Sequence, residues 1–180
     1  MKRVGVLMSV ISILFSLVGC VSGSSSLSDK EIESEANDFA KTVINAIDEY
    51  DEKYFDSLFT DEALDSADFE KGKAYLLGIF EGEILSIEQF AVVCGGGYSK
   101  YGKSYTPTVC CDIITDKSEY ALYIEYYLDG YNTSTGKHYS NRIMRLRLTI
   151  KSEMPETGGF TNHGGMGYHE GIYYPEIVLD

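Results

Sequence analysis

The fold is decided by residues 119–150, EYALYIEYYLDGYNTSTGKHYSNRIMRLRLTI. Two alternating runs, 119–128 and 141–150, flank a polar stretch rich in Asn, Thr, Ser and Gly, and this pattern predicts a β-hairpin turning near Thr135. One face of that hairpin carries charge and tyrosine, and the opposite face is apolar, as a half-buried antiparallel sheet requires. The predicted charged-face pairs are Glu125–Arg145, Tyr123–Arg147 and Tyr127–Ile143, and the apolar-face pairs are Tyr126–Met144, Ile124–Leu146, Leu122–Leu148 and Tyr120–Ile150.

Two more strands are predicted upstream, over residues 84–94 and 108–115. The residues between them begin with three glycines, and 95–103 is interpreted as a turn or a long hairpin loop. The back half of the chain is therefore expected to form an antiparallel sheet of four or more strands.

The front half has helical periodicity. Ser28-Asp29-Lys30-Glu31 matches a capping box, and apolar residues follow at helical spacing up to Tyr50. A second, short helix carries Tyr54, and a third is predicted over residues 67–80. Helices followed by strands indicate an α+β fold in which the N-terminal helices pack on a curved antiparallel sheet.

The N-terminus has the features of a bacterial lipoprotein signal peptide. Lys2 and Arg3 precede a largely apolar run of 15 residues, which is too short to span a membrane, and Leu17-Val18-Gly19-Cys20 reads as a lipobox. This predicts a signal peptide over 1–19, a lipidated Cys20 and flexible tether over 20–28, and one domain over 29–180 with a Gly-rich tail from about 152. The domain would stand on the extracytoplasmic face of the cell membrane. The alternative is a plain secretory signal that ends in a chance cysteine.

Composition and charge exclude some functions. The chain has 180 residues and a net charge of −13, which disfavours nucleic-acid binding because phosphate needs a basic face. The spacing of His163 and His169 fits no known ligand pattern, and neither a metal nor another cofactor is expected. Cys94 and Cys110 would lie opposite each other in a hairpin centred near residue 102, which permits a disulfide; the alternative is that the cysteines are free, buried thiols.

The chain resembles a known family in its lipobox and tether, in its acidic helix pair, and in the segments FDSLFTDEAL (55–64), FEGEILS (80–86) and DKSEYALYIEYY (116–127). These are similar to bacterial lipoproteins of domain of unknown function family 5104. The order of helices and strands also resembles the nuclear-transport-factor-like (cystatin-like) cone shared by ketosteroid isomerase and scytalone dehydratase. That resemblance implies a cavity between helices and sheet, in which the enzymes place an acid, a base or a tyrosine.

Residues for such a pocket follow from strand parity. Tyr120 and Tyr126 are expected to point toward the helices, with Arg142 near the sheet rim on the same face, and Tyr54 and Asp112 are weaker candidates. No catalytic residue can be assigned from these patterns. The predicted function is a non-catalytic domain that binds a small ligand or a protein partner. An acid/base enzyme acting on a small apolar substrate and a structural envelope protein are the alternatives.

The 15 tyrosines suggest a second candidate surface. Several fall on the outer face of the sheet or in the loop before it, where they would offer an aromatic surface to a partner or a glycan. The other explanation is that tyrosine forms strands well at half-exposed positions. The tyrosines concerned are Tyr98, Tyr101, Tyr105, Tyr123 and Tyr127.

Overall fold

The computed structural model describes residues 27–153 and 170–173, and these form an α+β fold with the helices first. The helices are α1 (Asp29–Asp48), α2 (Glu52–Ser57), α3 (Asp61–Leu64) and α4 (Phe69–Ile79). The strands are β1 (Ile84–Val93), β2 (Gly96–Ser99), β3 (Gly102–Tyr105), β4 (Thr108–Thr115), β5 (Glu119–Tyr131), β6 (His138–Ile150) and β7 (Gly171–Tyr173), with a 3-10 turn at Lys151–Glu153 after β6. The predicted α+β class is confirmed. The signal peptide, Cys20, His163 and His169 lie outside the described residues.

The helices begin where their side chains can cap them. The capping box of Ser28 and Glu31 is confirmed, because the Ser28 hydroxyl accepts from the Glu31 amide and the Glu31 carboxylate accepts from the Ser28 amide. The sequence did not predict α3, whose N-cap is the Thr60 hydroxyl. Within the described ranges, every helix is too short or too polar to cross a membrane.

The seven strands form one mixed sheet. β5 is the central strand of this sheet. β6 pairs with one edge of β5, and β4 and β3 pair with successive parts of its other edge. β1 pairs with β4, and β2 pairs with β3, so residues 96–105 form a short hairpin where the sequence predicted a loop. β7 pairs in parallel with β6 and lies within the segment predicted as a tail. The prediction of a purely antiparallel sheet was therefore wrong at this edge.

A β-bulge changes the predicted register of β5 and β6. The pairs from Tyr120–Ile150 to Glu125–Arg145 are as predicted, but Tyr126 then faces Ile143 and Tyr127 faces Arg142. The predicted pairs Tyr126–Met144 and Tyr127–Ile143 were wrong, because Met144 is an extra residue in β6. Met144 packs with Tyr127 and Tyr139 on the outer face, away from the main core.

The main core lies between the helices and the inner face of the sheet. Phe39 of α1 stacks on Tyr126 of β5 with ring centroids 4.3 Å apart. At the far side, Gly72 of α4 lies against β7 so closely that a Cβ at this position would be 2.5 Å from the Ile172 carbonyl oxygen. A glycine is required there because any side chain would separate helix and strand.

Candidate functional site

The five residues predicted for an inner pocket are not brought together. Tyr120 and Tyr126 are buried on the inner face, as expected from strand parity. The Tyr120 hydroxyl is fully used, since it accepts from the Glu81 amide at 2.9 Å and donates to the Ile79 carbonyl at 2.9 Å. It therefore anchors the end of α4 to the sheet.

The other three predicted pocket residues were misplaced. Tyr54 lies on α2 with 45% of its surface exposed. Asp112 alternates with the core residues of β4, and its carboxylate pairs with the Lys151 ammonium at 2.9 Å. Arg142 faces Tyr127 instead of sharing the Tyr126 face, because the bulge reverses the parity of this end of β6. Its guanidinium donates to the carbonyls of Ser140 and Asn141.

The cysteines also depart from the predicted hairpin. Cys110 faces Ala91 on β1, whereas Cys94 follows the end of that strand and is exposed. The two are not opposite each other, and Cys94, Cys110 and Cys111 are free thiols in this structure. Burial raises the pKa of Cys110 to about 11 and that of Cys111 to about 12, so both are protonated at neutral pH.

Tyr126 has an unusual environment for a polar group. Its side chain is 0% exposed, and its hydroxyl has no hydrogen-bond partner among the described residues. Burial raises its pKa, with smaller contributions from the charges of Glu35 and Cys94, so the hydroxyl remains neutral. Tyr126 is therefore a buried donor that interacts with its surroundings mainly through its ring.

A groove lies on the outer side of the sheet, between the β2–β3 hairpin and β5. It has a volume of about 220 Å³ and is open to solvent. Ser104 fixes the hairpin against β5, because its hydroxyl accepts from the Tyr131 amide at 2.8 Å and donates to the Tyr131 carbonyl at 3.2 Å. Gly130 permits this approach, since a Cβ there would be 2.5 Å from the Ser104 side chain. The groove is thus built into the backbone.

The lining of the groove is neutral and rich in hydroxyls. Seven of the nine lining residues carry a hydroxyl, the other two are glycines, and none carries a formal charge. Tyr127 is only 6% exposed, and burial raises its pKa to about 12. The lining residues are Gly96, Gly97, Tyr98, Ser99, Ser104, Thr106, Tyr127, Tyr131 and Thr133.

A cluster of carboxylates lies next to Tyr127. Tyr139 stacks on Tyr127 with centroids 5.6 Å apart and donates its hydroxyl to Glu62 of α3. Glu170, just before β7, accepts from Thr60 at 2.6 Å and from Asn132 at 3.3 Å. Burial raises the pKa of Glu170, and the negative charge of Glu62 raises it further, although the Thr60 hydrogen bond opposes the shift.

This carboxylate cluster has a structural role in the first instance, because it joins α3, the β5–β6 turn and β7. Within residues 27–153 and 170–173, no three His, Cys, Asp or Glu side chains are grouped so as to hold a metal ion. Sequence reasoning had singled out Tyr98 and Tyr127 for the outer face, but it missed Glu62 and Glu170. No local pattern marks those two residues, since they come from distant segments.

Comparison with known proteins now gives the family. The model described as "Domain of unknown function (DUF5104)" matches residues 42–136, more than half of the chain. The chain belongs to this family. All nine residues that line the groove fall inside the segment matched to DUF5104, whereas Tyr139 and Glu170 fall outside it. No curated protein and no solved structure matches the chain.

Proposed function

We propose that this DUF5104 protein is a membrane-anchored lipoprotein whose domain binds a ligand or partner in the outer groove without transforming it. The single observation that carries the binding proposal is the groove itself, a concave surface of about 220 Å³ in which seven of the nine lining residues carry a hydroxyl and none carries a formal charge. Each hydroxyl on such a surface can both donate and accept a hydrogen bond, so the lining can hold a polar ligand.

The anchor part of the proposal rests on the lipobox that ends at Cys20. Two acyl chains on one cysteine give stable membrane attachment, because each buried methylene contributes about 0.8 kcal/mol.

We also propose that the helices and the curved sheet form a nuclear-transport-factor-like cone. In this chain the binding site would lie on the outer face of that cone instead of in its interior, because the inner pocket residues do not converge.

Lipidation is tested by expressing the full chain in bacteria fed an alkyne analogue of palmitate. The wild-type protein is expected in the membrane fraction with the label attached, and Cys20→Ser is expected to lose both. Cys94→Ser is the matched control, since Cys94 is an exposed thiol outside the lipobox. Label that persists in Cys20→Ser would refute the anchor.

Binding in the groove is tested by ¹H–¹⁵N NMR of the full chain in detergent micelles. The probes are four sets of small molecules: neutral saccharides, amino acids, short peptides and apolar fragments. At least one set is expected to shift the amide resonances of Gly97 and Ser99 while leaving those of Tyr54 unchanged. If no set shifts the groove resonances, the proposed binding function is wrong.

An acid/base enzyme is the second candidate, and the raised pKa of Glu170 is the observation that favours it. A carboxyl that remains protonated to higher pH can act as a general acid, and Glu62 with Tyr139 lies beside it. The test is whether the wild-type chain chemically converts a ligand found in the NMR screen. Conversion by the wild type that is lost in Glu170→Gln would identify the protein as an acid/base enzyme.

A further inference from the structure

We propose that the ligand of the outer groove is a neutral carbohydrate chain, an inference that rests on the proposed binding function. The nine lining residues contain no formal charge, seven hydroxyls and two glycines. The charged groups beside the lining are already hydrogen-bonded, since Lys103 donates to Tyr105 and the Glu62 and Glu170 carboxylates accept from other side chains. A charged ligand would therefore lose water in this groove without gaining a dedicated ion pair from its lining, which is unfavourable. The groove chemistry therefore selects a neutral ligand with many hydrogen-bonding groups.

Hydroxyls suit a sugar because each of them can donate and accept, as the hydroxyls of the sugar also do. The side chains of Thr106, Thr133, Tyr127 and Tyr131 are among those that line the open groove, where their hydroxyls can meet a ligand. The tyrosine rings add an apolar surface with a polar tip, which matches the apolar C–H face and polar rim of a pyranose.

The Tyr127 ring and the backbone of the groove are held in place before any ligand binds. Tyr127 is packed between Tyr139 and the sheet, and the Ser104 hydrogen bonds fix the hairpin that forms the opposite wall. Tyr98 is 81% exposed at the hairpin edge, where the Lys103 ammonium lies 5.8 Å from its ring centroid. A site fixed in this way loses little conformational entropy on binding.

The size and shape of the groove favour a segment of a chain over a compact small molecule. Its volume of about 220 Å³ lies below the range of about 300–1,000 Å³ that is usual for enclosed ligand pockets, and it is open to solvent. A groove of this size suits one sugar unit, and its open side leaves room for neighbouring units to extend beyond it. The structure thus assigns the groove one sugar unit within a longer neutral glycan.

The test measures binding of hexasaccharides to the full chain in detergent micelles by calorimetry. The neutral probes are cellohexaose, maltohexaose and chitohexaose, and the charged probes are hexamers of glucosamine (cationic) and galacturonate (anionic). Saturable binding of at least one neutral probe is expected, with the same affinity at low and high salt because no ion pair forms. Binding confined to a charged probe, or lost at high salt, would overturn the proposal.

Two variants locate the site. Gly97→Val adds a side chain at a lining position where a Cβ meets nothing within 4 Å, so it is expected to weaken binding more than tenfold at unchanged melting temperature. Tyr98→Ala is expected to weaken binding about tenfold, because exposed aromatic anchors dominate such contacts. Tyr54→Ala is the matched control, an exposed tyrosine outside the groove that is expected to leave affinity unchanged.

The outcomes separate the two proposals. If another set of molecules shifts the groove resonances but no neutral hexasaccharide binds, the carbohydrate inference is wrong and the binding function stands. If nothing binds the groove, both are wrong. Neutral saccharide binding that survives Gly97→Val would place the site elsewhere and would also overturn the inference.

Discussion

Replacing Tyr126 by phenylalanine is expected to stabilise the protein, whereas the same change at Tyr120 destabilises it. Tyr126→Phe removes a hydroxyl that is buried without a partner and keeps the ring stacked on Phe39. Relief of that desolvation should raise the free energy of unfolding by about 1 kcal/mol. Tyr120→Phe removes the two hydrogen bonds that join the sheet to Ile79 and Glu81, at a cost of about 1–2 kcal/mol.

The assay is urea unfolding of the full-length wild type and both variants, followed by far-UV circular dichroism because the chain has no tryptophan. The midpoints are expected to move in opposite directions at equal m-values, so that the differences report stability alone. A loss of 1 kcal/mol or more in Tyr126→Phe would refute the reasoning. The hydroxyl would then have a partner, such as a bound water or ligand, and the inner face would again be a candidate pocket.

Three further predictions follow from packing, burial and charge. Gly72→Ala should lower the free energy of unfolding by about 1–3 kcal/mol in urea, because its Cβ would collide with Ile172. Gly78→Ala on the same helix meets open space and should raise the free energy of unfolding by about 0.5 kcal/mol. Equal effects of the two changes would contradict the packing of α4 on β7. The pKa of Glu170 is higher in the folded protein than in the unfolded chain, so the native state binds more protons between these two pKa values. The stability of the native state therefore falls as the pH rises through that range. Unfolding at pH 4 and pH 7 should therefore show Glu170→Gln gaining relative to wild type at the higher pH, and a pH-independent difference would contradict the shift. Ellman's reagent should modify the exposed Cys94 in the native protein and reach the two buried thiols only in urea, and rapid labelling of all three would contradict their burial.

Local chemistry made much of the secondary structure predictable. The start of α1 follows from the capping box at Ser28, and β4 has the bounds predicted for it, because both signals lie in neighbouring residues. The first half of the β5–β6 register was also predictable, since charge and apolarity alternate strictly there. At the bulge, charge and apolarity no longer alternate, because Tyr126 and Tyr127 are both aromatic and Ile143 and Met144 are both apolar. Two registers therefore satisfy the same pattern there.

The sequence by itself determined the fold class, the positions of α1 and of the long strands β1, β4, β5 and β6, and the apolar face that the sheet turns toward the helices. These follow from periodicity and capping, which act over a few residues. Only the tertiary structure decided where the candidate site lies. The hairpin of residues 96–105 pairs with the end of β5, where the groove forms, and Thr60 meets Glu170 across 110 positions of chain. Both contacts depend on how distant segments pack, and local propensity carries no information about such packing.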